Sequence, residues 1–352
     1  MTRRLDVVVV GGGIHGVGVA QAAAAAGHSV LLLEKRALAA GTSSKSSKLI
    51  HGGLRYLESG QFHLVWESLI ERRILLDIAP DLVHMVPFHL PVYRSTRRRP
   101  WQLRIGLSMY AVLGGFERTF RFGSIPRREW QALDGLETRG LESVLRYYDA
   151  QTDDAALTRA VMQSAQSLGA ELAMPAEFFA AELRQQSAIV RYSHHGRESE
   201  CEATVLVNAA GPWVNEVAQR ITPAITVPNI ELVQGSHIVV PGEPRRGIYY
   251  VESPRDGRAV FVMPWHGNTL VGTTETRFRG DPDHLHPLAA ERHYLVSVLK
   301  HYFPRYARLG ARDLIDSARV HPGARRRAAD RSFIPAGPSG RSPGRGLFPP
   351  AA

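Results

Sequence analysis

The sequence predicts an α/β protein: a Rossmann-type dinucleotide-binding domain that carries an inserted antiparallel-sheet domain. Three observations predict it. The β-branched run at 7–10 ends in three glycines, an alanine-rich stretch follows and gives way to a second apolar run at 30–34, and from 230 to 275 short apolar runs alternate with turn residues. A continuous apolar run entering glycines is the pattern of a buried parallel strand leading into a phosphate-binding turn. Short runs divided by turns are the pattern of an antiparallel sheet.

Taken in order, residues 7–10 are the first strand. From Ile14 to Ala26 the alanines favour a helix, which Gly27 caps, and residues 30–34 form the strand that closes a βαβ unit. Residues 37–46 are small and polar, a loop ahead of a packed helix over 61–78, where Phe62, Val65, Trp66, Leu69 and Ile70 recur at helical spacing. Thr152, Asp153 and Asp154 supply capping side chains for a helix over 155–168, closed by Gly169, and 203–207 is a further buried strand. The runs at 238–240, 248–251, 259–263 and 269–271 are the antiparallel strands, followed by a helix over 288–302. The expected division is a discontinuous cofactor domain, 1–80 and 145–220, a substrate-covering domain, 81–144 and 221–316, and a tail without a core, 317–352. That tail holds six Pro, five Gly and seven Arg.

Composition excludes several classes. The apolar share of 44% and charged share of 22% are those of a globular protein. The net charge of +10 is concentrated in the tail, which carries +6 and leaves +4 on the body, so a nucleic-acid partner is not expected. The single cysteine, Cys201, rules out an internal disulfide and reads as a small buried strand residue. No secretory signal and no span of about 20 apolar residues is visible, which places the chain in the cytoplasm. The arginines between Arg94 and Arg104, with the apolar stretch 105–116 after them, suit peripheral contact with the inner face of an anionic membrane. A solvated arginine cluster before a core helix is the alternative.

Gly11, Gly13 and Gly16 satisfy G-x-G-x-x-G between a strand and a helix, and Glu34 ends the next strand. Gly11 permits the turn, Gly13 the approach of backbone to a diphosphate, and Gly16 the packing of helix on strand. Ile14 and His15 lie in the same turn, and Glu34, with Lys35 beside it, can accept ribose hydroxyls. NAD and FAD are equally compatible with these residues.

The next segment separates them. Ser47-Lys48-Leu49-Ile50-His51-Gly52-Gly53-Leu54-Arg55-Tyr56-Leu57-Glu58 resembles the flavin-contacting segment of the FAD-dependent glycerol-3-phosphate dehydrogenases. The resemblance extends to Asn208-Ala209-Ala210-Gly211-Pro212-Trp213, to Gly235-Ser236-His237, and to Gly272-Thr273-Thr274-Glu275, and covers about residues 4–316. It implies the two-domain fold of D-amino-acid-oxidase-like FAD oxidoreductases. It also implies FAD, with no metal, and oxidation of glycerol 3-phosphate to dihydroxyacetone phosphate with electrons passed to quinone or another acceptor. Thr42, Ser43, Ser44 and Ser47 offer hydroxyls for the diphosphate and ribityl chain, while Gly52 and Gly53 bring backbone near the ring. Lys48, Leu49, Ala209, Gly211, Trp213 and Thr274 are the further cofactor positions that the resemblance implies.

Oxidising a secondary alcohol that carries a phosphate needs a proton acceptor and a cation. His51 or His237 can take or relay the proton, and Arg55, with Tyr56 beside it, can clamp the phosphate. Another FAD-dependent amine or hydroxy-acid oxidase, and an inactive flavin binder, are the competing readings. The family continues with Gly-x-Arg-Pro and Gly-Gly-Lys-Leu-Thr segments, for which only Arg319 is a possible remnant here. His15 and Glu275 stand where the family favours Asn and Asp. The end of the chain therefore reads as truncated or out of frame.

Overall fold

The computed structural model describes residues 3–115, 121–227, 230–310 and 313–324, the last nine as backbone alone. The chain opens with β1 (Arg3–Val10), α1 (Ile14–Ala25) and β2 (Val30–Leu33), the βαβ unit read from the sequence. Then come β3 (Leu49–Ile50), α2 (Phe62–Ile78), β4 (Val83–Tyr93), α3 (Pro100–Leu113), β5 (Gly123–Ser124) and β6 (Leu141–Thr152). After α4 (Asp154–Ser167) follow β7 (Glu171–Ala173), β8 (Ala176–Leu183), β9 (Ala188–His194), β10 (Arg197–Asn208), α5 (Val214–Gln219) and β11 (Ile221–Thr222). The remainder is β12 (Ile230–Pro241), β13 (Ile248–Glu252), β14 (Ala259–Trp265), β15 (Asn268–Gly272), β16 (Thr276–Phe278), α6 (Ala289–Tyr302) and β17 (Ile315–Ala324).

These strands make two sheets. The first runs β11-β8-β9-β10-β1-β2-β7, with β1 parallel to both β2 and β10. The valines of β1 divide between its faces: Val7 and Val9 pack with Val17, Ala20 and Met162 of α1 and α4, while Val8 and Val10 pack with Leu31, Phe178 and Val190. Each such side chain contributes roughly 1.5–3 kcal/mol when fully buried, which is why an unbroken apolar run here is a central strand. Asp153 caps α4 as expected, its carboxylate accepting from Ala156 N at 2.9 Å. The expectation for 203–207 needs correction: Ala203 is buried, but Val205 keeps 48% exposure.

The second sheet runs β16-β12-β15-β14-β13-β4-β6-β3, with β17 added on β12 and β5 on β6. It draws β3 from the segment 1–80, and β6 crosses the expected boundary at 145, so cofactor-segment and insertion strands share one sheet. Residues 317–324, expected to belong to a tail without regular structure, form most of β17 and pair with β12 from Ser317 opposite His237 to Ala324 opposite Ile230. Arg319 stands opposite Gly235. The rest of the expected tail, 325–352, and Phe116 at the end of the apolar stretch lie outside the described residues. The helix over 61–78 is present, with a divided apolar surface: Val65 and Leu69 are buried, whereas Phe62, Trp66 and Ile70 are exposed.

Candidate active site

Where β1 ends, the chain turns through Gly11 at φ +111°, and a Cβ there would lie 2.6 Å from Ala209 O. At Gly16 a Cβ would meet Gly11 O at 1.8 Å, so α1 can start against the turn only with glycine at that position. Glu34 braces the same turn: one carboxylate oxygen accepts from Gly12 N at 2.7 Å and the other from Arg36 N at 2.7 Å. Ser43 Oγ accepts from Ile14 N at 2.9 Å in the first turn of α1.

These residues line a cavity of about 490 Å3, together with His15, Lys35, Thr42, Ala209, Gly211 and Trp213. Gly16 is packed beneath it. Sequence reading missed Arg36, Phe178, Arg220 and Asp283, which also line it. Arg36 bonds Asp283 at 2.9 Å and lies over the Trp213 ring at 5.3 Å, a pairing across 247 positions that no local pattern announces. The buried Trp213 Nε1 and Asn215 Oδ1 have no hydrogen-bond partner among the described residues. The turn, the amino end of α1, the carboxylate and an indole N–H in want of an acceptor together fit the adenosine diphosphate half of a dinucleotide.

A second group gathers at the second sheet, around the segment next to β3 and the strand β12. Ser47 Oγ and His237 Nε2 are 3.2 Å apart. His237 is 1% exposed on β12, opposite Gly272 of β15, and a Cβ on Gly272 would lie 2.2 Å from the imidazole Cδ2. The glycine is the condition for the histidine's placement. His51 is half-buried, and its Nδ1 accepts from Gly53 N at 3.0 Å. Burial holds its imidazole below the ordinary 6.5; the Asp149 carboxylate opposes this, and the charges of Arg55 and Arg72 reinforce it. With Nδ1 accepting, the proton of the neutral ring sits on Nε2.

Other expected residues take different roles. Lys48 is committed within the protein: its ammonium pairs with Asp154 at 2.7 Å, with side chains 8% and 12% exposed, and lies over the Trp265 ring. Leu49 pairs with Gln151 in the sheet. Ser44 Oγ donates to Gly41 O at 3.4 Å. Gly53 has φ +71°, as the turn into the 3-10 segment Leu54–Ser59 requires. Arg55 is exposed, with its guanidinium over the Tyr56 ring at 5.0 Å and bonded to the phenol at 3.1 Å.

The Thr274 hydroxyl is committed within the protein, donating to Glu291 at 2.8 Å while accepting from Ser236 N at 2.9 Å. Glu291, a residue not singled out from sequence, also accepts from Gln234, Ser236, Thr276 and Leu288 N. Burial pushes its carboxyl up, but these donors outweigh that and hold it below the ordinary 4.5. The hub ties α6 to the strand that carries His237.

Residues 6–345 match the sequence profile of the FAD dependent oxidoreductases. The chain belongs to that family. Among its relatives, the D-erythritol 1-phosphate dehydrogenase of Brucella abortus is 36% identical over 334 residues, 91% of this chain and 65% of that protein. The aerobic glycerol-3-phosphate dehydrogenase of Escherichia coli is 39% identical over 305 residues, 85% of this chain and 60% of that protein. The chain thus spans less than two thirds of either relative. A glycerol-3-phosphate dehydrogenase from Bacillus halodurans, solved in complex with FAD, superposes with a TM-score of 0.71 at 27% identity, covering 91% of this chain and 57% of that one. FAD is the cofactor of the family, and the cavity at the glycine turn has the groups to hold its diphosphate end.

Proposed function

We propose that this chain oxidises sn-glycerol 3-phosphate to dihydroxyacetone phosphate with FAD, passing the electrons to quinone or another acceptor. The observation that carries the reading is the 3.2 Å approach of Ser47, in the segment expected to contact flavin, to His237, in a buried strand of the second sheet. When bound, FAD supplies the acceptor for the hydride that leaves the alcohol carbon. Gly11, Gly13 and the amino end of α1 would hold its diphosphate, Glu34 the ribose, and Ser44 and Ser47 the ribityl end, with the Gly52–Gly53 backbone lying beside the ring. His237 accepts the hydroxyl proton. His51, protonated on Nε2 when neutral, donates a hydrogen bond to the substrate oxygen rather than acting as base. Arg55, steadied by the Tyr56 ring, takes the phosphate through its planar fork.

A second substrate, D-erythritol 1-phosphate, is favoured by one observation, the 36% identity to the Brucella abortus enzyme named for it. Both compounds present an alcohol and a phosphate ester on a short polyol. Anaerobic titration of the FAD-loaded chain with each phosphate, and with glycine as the amine-oxidase control, tests the choice. Bleaching by glycerol 3-phosphate at the lowest concentration supports the reading. Colour that no polyol phosphate bleaches contradicts it and leaves an inactive flavin binder.

In this reading the electrons leave at an anionic membrane surface. On α3, Trp101, Ile105 and Val112 share one face, with exposures of 62%, 52% and 54%, and exposed Arg97, Arg99 and Arg104 stand near its amino end. Arg98 turns inward instead, pairing with Glu58 and Glu252. No helix among the described residues is long and apolar enough to cross a membrane. Flotation with phosphatidylglycerol vesicles, lost in a Trp101→Ser/Ile105→Ser double variant, is the expected result; no flotation of the parent chain contradicts it.

A further inference from the structure

The backbone N–H of Gly52 is directed at the protein interior. It donates to the Tyr110 hydroxyl on α3 at 2.9 Å, with Asp149 Oδ2 of β6 at 3.3 Å. That hydroxyl donates to the same carboxylate oxygen at 2.8 Å, and Arg72 of α2 pairs with Asp149 Oδ1 and reaches the phenol oxygen at 3.3 Å. Arg72, Tyr110 and Asp149 are each 1% exposed. The glycine at 52 follows from this packing, because a Cβ would lie 2.3 Å from the Tyr110 oxygen and 2.2 Å from Leu69 Cδ2. A buried ion pair adds little net stability over an apolar replacement of the same shape. Stability alone therefore does not account for the network, and what it touches is the loop that carries His51.

We propose that Tyr110 is a positioning residue for the segment at 51–53, its hydroxyl fixed by the Arg72–Asp149 pair and in turn fixing the Gly52 peptide. The proposal rests on the reading of that segment as flavin-contacting. Because the hydroxyl must donate to the carboxylate, its lone pairs are left for Gly52 N, and the orientation of that peptide is set from behind. The next N–H, of Gly53, then meets His51 Nδ1 at 3.0 Å, which selects the ring tautomer with the proton on Nε2. The direction and donor character of His51 thus trace to a phenol 59 positions away, on α3.

Tyr110→Phe removes the oxygen and keeps the ring. Tyr147→Phe is the control, since Tyr147 packs edge-on against Tyr110 with centroids 6.1 Å apart and makes no bond to the segment. Hydrogen exchange at the Gly52 and Gly53 amides of the full chain without cofactor is expected to quicken in Tyr110→Phe alone. With FAD added, the visible circular dichroism of the bound flavin is expected to change, and its reduction by glycerol 3-phosphate to slow roughly tenfold to a hundredfold. Unchanged exchange, or equal effects in the two variants, overturns the proposal. If the parent chain takes up no FAD, the reading of the segment fails, while the exchange measurement still decides the role of Tyr110.

Discussion

Ser47 and His237 stand 3.2 Å apart although 190 positions separate them, a contact that helps tie the loop after the βαβ unit to the second sheet. A hydroxyl held to a buried imidazole in this way fixes the ring beside the segment that the proposed function assigns to flavin. Replacing the imidazole by an amide keeps hydrogen bonding and removes the proton acceptor. His237→Asn is therefore expected to bind FAD as the parent does and to slow flavin reduction by roughly 10² to 10⁴-fold. Stopped-flow bleaching at 450 nm checks it; an unchanged rate assigns the proton elsewhere.

Gly16→Ala and Gly18→Ala lie two positions apart and should act in opposite directions. The first puts a methyl 1.8 Å from Gly11 O, whereas nothing lies within 4 Å of a Cβ at Gly18. Gly16→Ala is expected to destabilise the chain by about 1–3 kcal/mol and to weaken FAD binding. Gly18→Ala, within α1, is expected to stabilise it by roughly 0.5–1 kcal/mol. Thermal melting and FAD titration of both variants provide the comparison.

Lys48→Met should act on stability before it acts on cofactor. Its loss removes the cation beside the Asp154 carboxylate, which is 12% exposed and keeps Ser46 N and Ala155 N as donors, a change worth roughly 1–3 kcal/mol. Urea unfolding is expected to show that loss. A variant of parental stability that no longer takes up FAD would instead make Lys48 a cofactor ligand.

His89 gives the pH dependence a definite sign. It is 3% exposed, stacked on Tyr249, and burial pushes its imidazole from the ordinary 6.5 down to about 4, with the Arg146 charge adding to the effect. The folded state therefore binds this proton less readily than the unfolded chain. Its contribution is fully present above pH 6.5 and is lost as pH falls toward 4, by on the order of 3 kcal/mol in all. Unfolding midpoints at pH 7 and pH 5 should differ more in the parent than in His89→Gln.

The parts of this molecule legible in sequence are those with local causes. Residues 7–10 announce β1 because a strand buried on both faces needs four apolar side chains in a row, and Gly11, Gly13, Gly16 and Glu34 announce the turn because backbone sterics fix them at short spacing. Asp153 announces its cap for the same reason. What stayed hidden depends on distant partners. Lys48 stands among the cofactor positions that the resemblance implies, and nothing local points to Asp154, 106 positions later, as its partner. Gly52 reads as room for a flat ring, whereas its missing side chain makes way for Tyr110 and Leu69. Residues 317–324 read as tail because Arg, Pro and Gly carry no strand period; their pairing is supplied by the edge that β12 offers. On α2, periodicity marked the apolar residues but could not say that Phe62 and Trp66 would face outward.

The most direct test of the account is a crystal structure of the chain grown with FAD. The diphosphate is predicted against Gly11 and Gly13 at the start of α1, with the ring system between the His51–Gly53 backbone and His237. Density for the ring away from that junction, or crystals and solutions that remain colourless at saturating FAD, would contradict it.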